Sequence, residues 1–89
     1  MATIQDVFIV SAVRTPIASF RGSFKTLSSV ELGAVAAKEA IKKAGISPKD
    51  VDETITGSVL TANCGQNVSR QIALKCGIPE ESNAFTVNK

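Results

Sequence analysis

Several residue types that carry common enzyme chemistry are scarce or absent from this sequence. The 89 residues include no histidine, tryptophan or tyrosine, and the aromatic content is 4%, all of it phenylalanine. Without histidine, the chain lacks the usual proton shuttle at neutral pH and the commonest metal ligand. The few aromatic residues and the net charge of +2 indicate no nucleic-acid partner. No apolar run approaches the roughly 18 residues that a membrane-spanning helix needs, so we expect no membrane span.

Cysteine is also rare, with Cys64 and Cys76 alone. Neither has a Cys or His partner at zinc-binding spacing, and the first residues show no basic and apolar leader. We therefore expect reduced thiols in the cytoplasm, or in the mitochondrial matrix if a transit peptide has been removed. Cys64 precedes a predicted helix, where a thiol pKa can fall, but no histidine is present to activate it. We expect Cys64 to be structural and Cys76 to lie in the core.

The first half of the chain predicts a strand and a long helix. The apolar run at residues 7–10, extended by Ala12 and Val13, is typical of a strand buried on both faces, and it ends before Pro16. Ser28 and Glu31 have the spacing of a capping box, and Gly45 supplies a left-handed end, which predicts a helix between them. The apolar face predicted for this helix comprises Leu32, Gly33, Ala36, Ala37, Ala40, Ile41 and Ala44.

The second half continues the alternation. Residues 47–50 predict a short helical turn, 54–60 a second strand, 67–76 a shorter helix and 83–87 a third strand. The order β-α-β-α-β predicts an α/β fold with a mostly parallel sheet. Both helices should cover one face of a three-stranded sheet and leave the other face open. We therefore expect residues 1–89 to be an incomplete N-terminal part of a domain.

No group of residues forms a catalytic centre by pattern alone. Residues 63–67 precede a helix, whose N-terminus can bind an anion, but they lack the glycine and lysine patterns of phosphate-binding loops. A polar turn that caps the helix and meets a neighbouring subunit is the better interpretation. We expect the other charged candidates to pair locally or to be solvated: Arg14, Arg21, Asp50, Asp52 and Glu53.

Several segments together resemble the start of a thiolase. The opening strand with its Arg14-Thr15 turn is similar to that of the family, and so is the loop at residues 19–24. Residues 65–71 resemble the family's Gly-Gln-Asn-x-x-Arg-Gln helix start, and residues 84–89 resemble the strand that leads into its nucleophile. Shorter similarities occur at 31–33, 44–46 and 57–60. The order and spacing of these segments make the resemblance specific, and the biosynthetic, acetoacetyl-CoA type of thiolase is the most similar.

This resemblance implies an acyltransferase that condenses two acetyl-CoA molecules to acetoacetyl-CoA and CoA, and that catalyses the reverse thiolysis. The nucleophilic cysteine would lie about two positions past Lys89, so no catalytic residue is expected within residues 1–89. CoA thioesters would be substrates, with no bound cofactor and no metal.

The resemblance also implies a homodimer or homotetramer. In thiolases the third strand pairs antiparallel with its copy across a two-fold axis. This pairing would place Phe85, Thr86, Val87 and Asn88 at a subunit interface. Gln66, Asn67 and Arg70 match a family segment near the dimer contact and are expected at the same interface.

Two alternatives remain at this point. A degradative 3-ketoacyl-CoA thiolase or a sterol-carrier-type relative would share the same half-domain. In a different functional class, the chain would be a complete, non-catalytic α/β binding module. The open sheet face argues against the module, because parallel sheets are normally covered on both faces.

Overall fold

A computed structural model describes residues 5–89, and the first four residues, which the expectation about a leader concerns, lie outside this part. The elements are helix α1 (Ser29–Ala44), a 3-10 turn (Pro48–Asp50), strand β1 (Glu53–Gly57), helix α2 (Val68–Lys75) and strand β2 (Asn83–Val87). The two strands pair in parallel, in the register that places Ile55 opposite Phe85. Both helices, the parallel pairing and the α/β class are confirmed.

Local signals set the ends of α1. The Ser28 hydroxyl accepts a hydrogen bond from the Glu31 N–H at 3.0 Å, and Gly45 ends the helix at φ 73°. The left-handed region suits glycine, which has no Cβ to clash there. The Glu31 carboxylate accepts from the Ser28 hydroxyl at 3.3 Å, so one half of the predicted capping box is replaced by a side-chain contact.

The core lies between the two helices and under the sheet. Helix α1 packs against α2, and α2 packs on both strands, so that α2 is the central element. The buried apolar residues are Val30, Ala34, Val68, Ile72, Ala73, Cys76 and Ile78. Val30 and Ala34 were absent from the apolar face predicted for α1. Ala37 and Ile41 of the predicted face do pack against this core, and they lie on the same helical stripe as Val30 and Ala34.

The predicted first strand is wrong, because the structure places no strand between residues 5 and 19. Val7 is 92% exposed and Phe8 is 76% exposed, so neither side of this segment faces the core. A strand requires a neighbour that pairs with its backbone groups, and β1 is paired with β2 alone among the described residues. An apolar run becomes a buried strand only where a neighbouring strand is present to pair with it.

Strand β1 is shorter than predicted and ends at Gly57 rather than Leu60. Its partner β2 ends at Val87, opposite Gly57, so no ladder is available for residues 59 and 60. A Cβ on Gly57 would lie 2.6 Å from the Lys89 carbonyl oxygen. The strand therefore ends where the chain after β2 crosses close to its backbone.

A large apolar surface is left uncovered. The accessible area is 7097 Å², whereas a compact monomer of 9.3 kDa exposes about 5,000 Å². On the sheet face away from α2, Ile55 and Phe85 are paired in register and are 58% and 42% exposed. Buried parallel sheets are covered on both faces, so this face has the character of an interior surface.

Candidate functional site

A cavity of about 360 Å³ lies at the carboxyl ends of the two strands. Because β1 and β2 are parallel, their ends meet the loop at residues 58–67 and the first turn of α2 at one edge of the sheet. Ligands of open α/β sheets bind at this edge. The residues lining the cavity are Ser58, Val59, Thr61, Gly65, Asn67, Val68, Thr86 and Asn88.

Ser69 joins the first turn of α2 to both strands and is completely buried, at 0% exposure. Its hydroxyl donates to the Thr54 carbonyl at 3.0 Å and accepts from the Thr56 hydroxyl at 2.9 Å. Its backbone N–H donates to the Thr86 hydroxyl at 3.0 Å. Thr56 and Thr86 are register partners, so two opposed threonines bind the same serine.

Asn67 caps α2 and ties it to β2. Its side-chain oxygen accepts from the Arg70 N–H at 3.2 Å and from the Thr86 hydroxyl at 3.0 Å. Its side-chain amide donates to the Ala84 carbonyl at 3.1 Å. The residue is in the left-handed region at φ 41°, which asparagine tolerates better than most residues. The helix N-terminus is therefore satisfied by a side chain of this chain.

Two further polar side chains of α2 bind loop carbonyls. The Arg70 guanidinium donates to the carbonyls of Glu80 and Ser82, at 3.2 and 2.9 Å. The Gln71 amide donates to the carbonyls of residues 64 and 66, at 2.8 and 2.9 Å. Gly65 leaves room for the Gln71 amide, because a Cβ on residue 65 would lie 2.8 Å from the Gln71 amide nitrogen. These contacts hold the loops on either side of the helix.

The charged candidates from the sequence lie apart from the cavity. Arg14 donates to the neighbouring Thr15 carbonyl, and the Arg21 guanidinium stands 5.2 Å from the Phe20 ring centre. The Asp50 carboxylate accepts from the Ser47 N–H at 3.0 Å and caps the 3-10 turn. Local contacts therefore account for these groups, as expected. Asp52 and Glu53 are exposed.

Within residues 5–89, no three His, Cys, Asp or Glu side chains are grouped as metal ligands would be. No helix in this same part of the chain has the length and apolar character needed to cross a membrane.

Comparison with known proteins identifies the family of the chain. The family model for the thiolase N-terminal domain matches residues 7–89. An acetyl-CoA acetyltransferase of Clostridioides difficile is 56% identical over 85 residues, covering 96% of this chain and 79% of the relative. The chain belongs to the thiolase family. Its fold is also that of a solved thiolase, Acat5 from Ascaris suum in complex with coenzyme A, at a TM-score of 0.94 and 52% identity.

The thiolase segment is short compared with most of its relatives. It covers 96% of its own length but 22% of the Ascaris suum chain. It also covers 22% of a Gibberella zeae relative named "Acetyl-CoA acetyltransferase ERG10, cytosolic", which is 52% identical over 89 residues. The chain therefore spans about a fifth of the length of these two relatives.

The seven residues predicted at a subunit interface are not all alike in this thiolase segment. Asn67, Arg70 and Thr86 direct polar side-chain groups to partners within the chain. Phe85 is partly exposed on the open sheet face, Val87 is half-buried, and Gln66 and Asn88 are exposed. Their role between subunits stays a prediction.

The backbone of β2 indicates which residues face the free edge. The Asn83 N–H donates to Asp52, and the Val87 carbonyl accepts from Ser58, so odd-numbered residues bond toward β1. Successive residues of a strand direct their backbone groups to opposite sides, so Ala84, Thr86 and Asn88 direct theirs to the other edge. There the Asn67 amide already occupies the Ala84 carbonyl.

Neither cysteine lines the cavity at the strand ends. Cys64 is half-buried and its sulfur accepts from the Ser29 hydroxyl at 3.7 Å. Cys76 is buried between the helices, where its thiol lies 3.7 Å from the Ala34 carbonyl. Burial raises the pKa of the Cys76 thiol, and the nearby Lys38 charge opposes this in part. Cys76 therefore lies in the core, as predicted from the sequence.

Sequence reasoning missed the side chains of Ser69 and Thr56, and the Thr54 backbone carbonyl that Ser69 binds. Ser69 lies two positions after the Asn67 cap and gives only a weak signal, because serine is an ordinary residue in a polar first turn. The alternation of Thr54 and Thr56 with Glu53 and Ile55 indicated which side chains share a sheet face. It did not indicate that this face would be the one against the helix.

Proposed function

We propose that the protein containing this segment is an acyltransferase that transfers acetyl groups between CoA thioesters. It would condense two acetyl-CoA molecules to acetoacetyl-CoA and CoA, and catalyse the reverse thiolysis. The observation that carries the proposal is the identity of 52–56% to relatives named acetyl-CoA acetyltransferase, over nearly the whole chain. The Ascaris suum relative was crystallised with coenzyme A, which supports a CoA thioester as substrate.

In the proposed mechanism, the nucleophile is a cysteine just beyond Lys89, as the family resemblance implies. Its thiolate attacks the acetyl carbonyl, and the CoA thiolate leaves and takes up a proton. A second acetyl-CoA, deprotonated at its methyl group, then attacks the acyl-enzyme and releases the cysteine thiolate. Residues 1–89 contain no histidine, so the bases for these steps would come from elsewhere in the protein.

The role proposed for residues 1–89 is therefore to position the nucleophile, as the first part of the thiolase N-terminal domain. Strand β2 and the residues after it lead toward the expected cysteine. The uncovered face at Ile55 and Phe85 supports an incomplete domain, because the rest of such a domain would cover it.

We also propose a homodimer or homotetramer built on the free edge of β2. An unpaired strand edge is a template for another strand, and two-fold pairing closes it without open-ended growth. The cytoplasm is the proposed compartment, and the name of the Gibberella zeae relative supports it.

The experiment is a substrate comparison with the purified full-length protein. CoA-dependent cleavage is measured with acetoacetyl-CoA and with a long-chain 3-ketoacyl-CoA, and condensation with acetyl-CoA alone. The proposal expects cleavage of acetoacetyl-CoA to be preferred and condensation to be detectable. Preference for the long-chain substrate would favour the degradative alternative, and absence of all three reactions would refute the proposal.

A further inference from the structure

The contact between α2 and the sheet is made by hydroxyl groups at its most buried point. Thr56 and Thr86 stand opposite each other on adjacent strands, and both bind Ser69. Hydrophobic packing has no preferred direction, whereas a hydrogen bond fixes distance and angle. The hydroxyl bonds therefore define where α2 lies along the strands.

The same bonds reach the end of β2. Thr86 is the next-to-last residue of the strand, and its hydroxyl both accepts from the Ser69 N–H and donates to the Asn67 side chain. Three residues later, the Lys89 carbonyl passes so close to Gly57 that no Cβ would fit there. The path from residue 86 to residue 89 is thus fixed from α2 and from the end of β1.

We propose that Thr86 is a positioning residue for the acyl transfer, acting through the hydroxyl network formed by Thr56, Ser69, Thr86 and Asn67. The network fixes the chain that leaves β2 relative to α2, and so sets the place of the nucleophile that follows. This inference rests on the proposed function, since it needs a reacting cysteine shortly after Lys89.

The experiment compares three variants of the full-length enzyme. Thr86→Val keeps the shape of the side chain and removes the hydroxyl, whereas Thr86→Ser keeps the hydroxyl. Thr54→Val is the matched control, because the Thr54 hydroxyl is buried on the same strand pair and has no hydrogen-bond partner within residues 5–89. The activity of each variant is expressed per active site, and active sites are counted by titrating the cysteine that becomes acetylated.

Two measurements are made on each variant. The first is kcat and KM for acetoacetyl-CoA thiolysis. The second is the pH dependence of alkylation of the nucleophilic thiol by iodoacetamide. Partial unfolding lowers the number of active sites but leaves the midpoint of this pH profile in place. The family resemblance implies that the nucleophilic cysteine begins a helix, whose N-terminus would favour the thiolate. A displaced thiol would lose part of this effect, so its midpoint would move upward.

We expect Thr86→Val to lower kcat by about tenfold or more with KM changed by less than about threefold, the pattern of a contact that acts on the transition state. Its alkylation at neutral pH should slow by about tenfold, which corresponds to a midpoint about one pH unit higher. Thr86→Ser and Thr54→Val should remain within about twofold of the unchanged enzyme in both measurements.

If Thr86→Val behaves like Thr54→Val, the positioning role is refuted while the proposed function stands. If the unchanged enzyme has no thiolase activity, the proposed function fails and the inference fails with it. Should Thr86→Val not fold, Thr56→Val removes the donor to the Ser69 hydroxyl instead. An unchanged alkylation midpoint in that variant overturns the inference, and an upward shift supports it.

Discussion

Helix α1 lies close to α2 at Gly33, and this contact gives a quantitative test of the packing. A Cβ at Gly33 would lie 2.5 Å from Ile72 Cδ1 and 3.2 Å from Ile72 Cγ1. Ordinary carbon contacts are about 3.5–4.0 Å, so the methyl group of Gly33→Ala would overlap the buried Ile72 side chain. Ile72 is itself in the core, which limits how far it can move.

The expected magnitude is a balance of two effects. Overpacking a core by a methyl group costs about 1–3 kcal/mol, and replacing glycine by alanine inside a helix returns about 0.5–1 kcal/mol. Gly33→Ala should therefore lower the free energy of unfolding by about 1–2 kcal/mol. In an Ile72→Val background the nearest atom, Cδ1, is gone, and Gly33→Ala should be neutral or stabilising.

The assay is a double-mutant cycle on the full-length protein, with denaturant unfolding of the single and double variants. We expect a coupling energy of about 1–2 kcal/mol between the two sites. Gly45→Ala is the control: Gly45 is left-handed at φ 73° with no atom within 4 Å of its added Cβ. Its cost, about 1–2 kcal/mol, should be equal in both backgrounds. Equal costs for Gly33→Ala in both backgrounds would refute the close helix contact.

Three other predictions concern groups near the site. Cys64→Ser should leave turnover within about fivefold, because the nucleophile is expected downstream; a loss beyond about 10³-fold, about 4 kcal/mol of transition-state stabilisation, would identify Cys64 as the reacting thiol. Ala84→Pro should convert the assembly to monomers in sedimentation, because the Ala84 N–H points to the outer edge of β2. Phe85→Pro should instead lower the free energy of unfolding, because the Phe85 N–H points to β1. A dimeric, active Ala84→Pro enzyme would exclude this edge as the subunit interface. Since burial raises the pKa of Cys76, the folded state keeps this proton longer than the unfolded chain, so stability should fall as pH rises above about 8.5. Urea unfolding across pH 7–10 tests this, and Cys76→Ala should remove that part of the decline.

The elements that sequence reasoning predicted well are those specified by nearby residues. Ser28, Gly45 and the Ser47–Asp50 turn each define a helix end through contacts within four positions, and the structure has all three. Strand β2 was predicted with its observed bounds, Asn83–Val87. Such signals need no knowledge of what lies opposite in the fold.

The errors occur where a distant partner decides the outcome. Residues 7–13 have the composition of a buried strand, but no strand pairs with them in the described part of the chain. Residues 58–60 continue the pattern of β1, yet the ladder stops because β2 has ended. In α1, the one predicted apolar face includes residues that pack on the core, but it omits Val30 and Ala34, which the position of α2 buries most deeply. Pairing and packing of this kind depend on residues far apart in sequence.

The seven interface residues show why the candidate site is the hardest part to predict. They were chosen by similarity to a family segment, and a polar side chain in such a segment can serve an interface or the fold. The Asn67 amide and the Thr86 hydroxyl serve the fold, because they fix α2 to β2. The side chains of Phe85 and Asn88 retain free surface, whereas the outer backbone edge of β2 is open except at the Ala84 carbonyl, which Asn67 binds. A subunit contact at this strand would therefore be made by backbone groups and these two side chains, on a strand whose position the buried hydroxyls set.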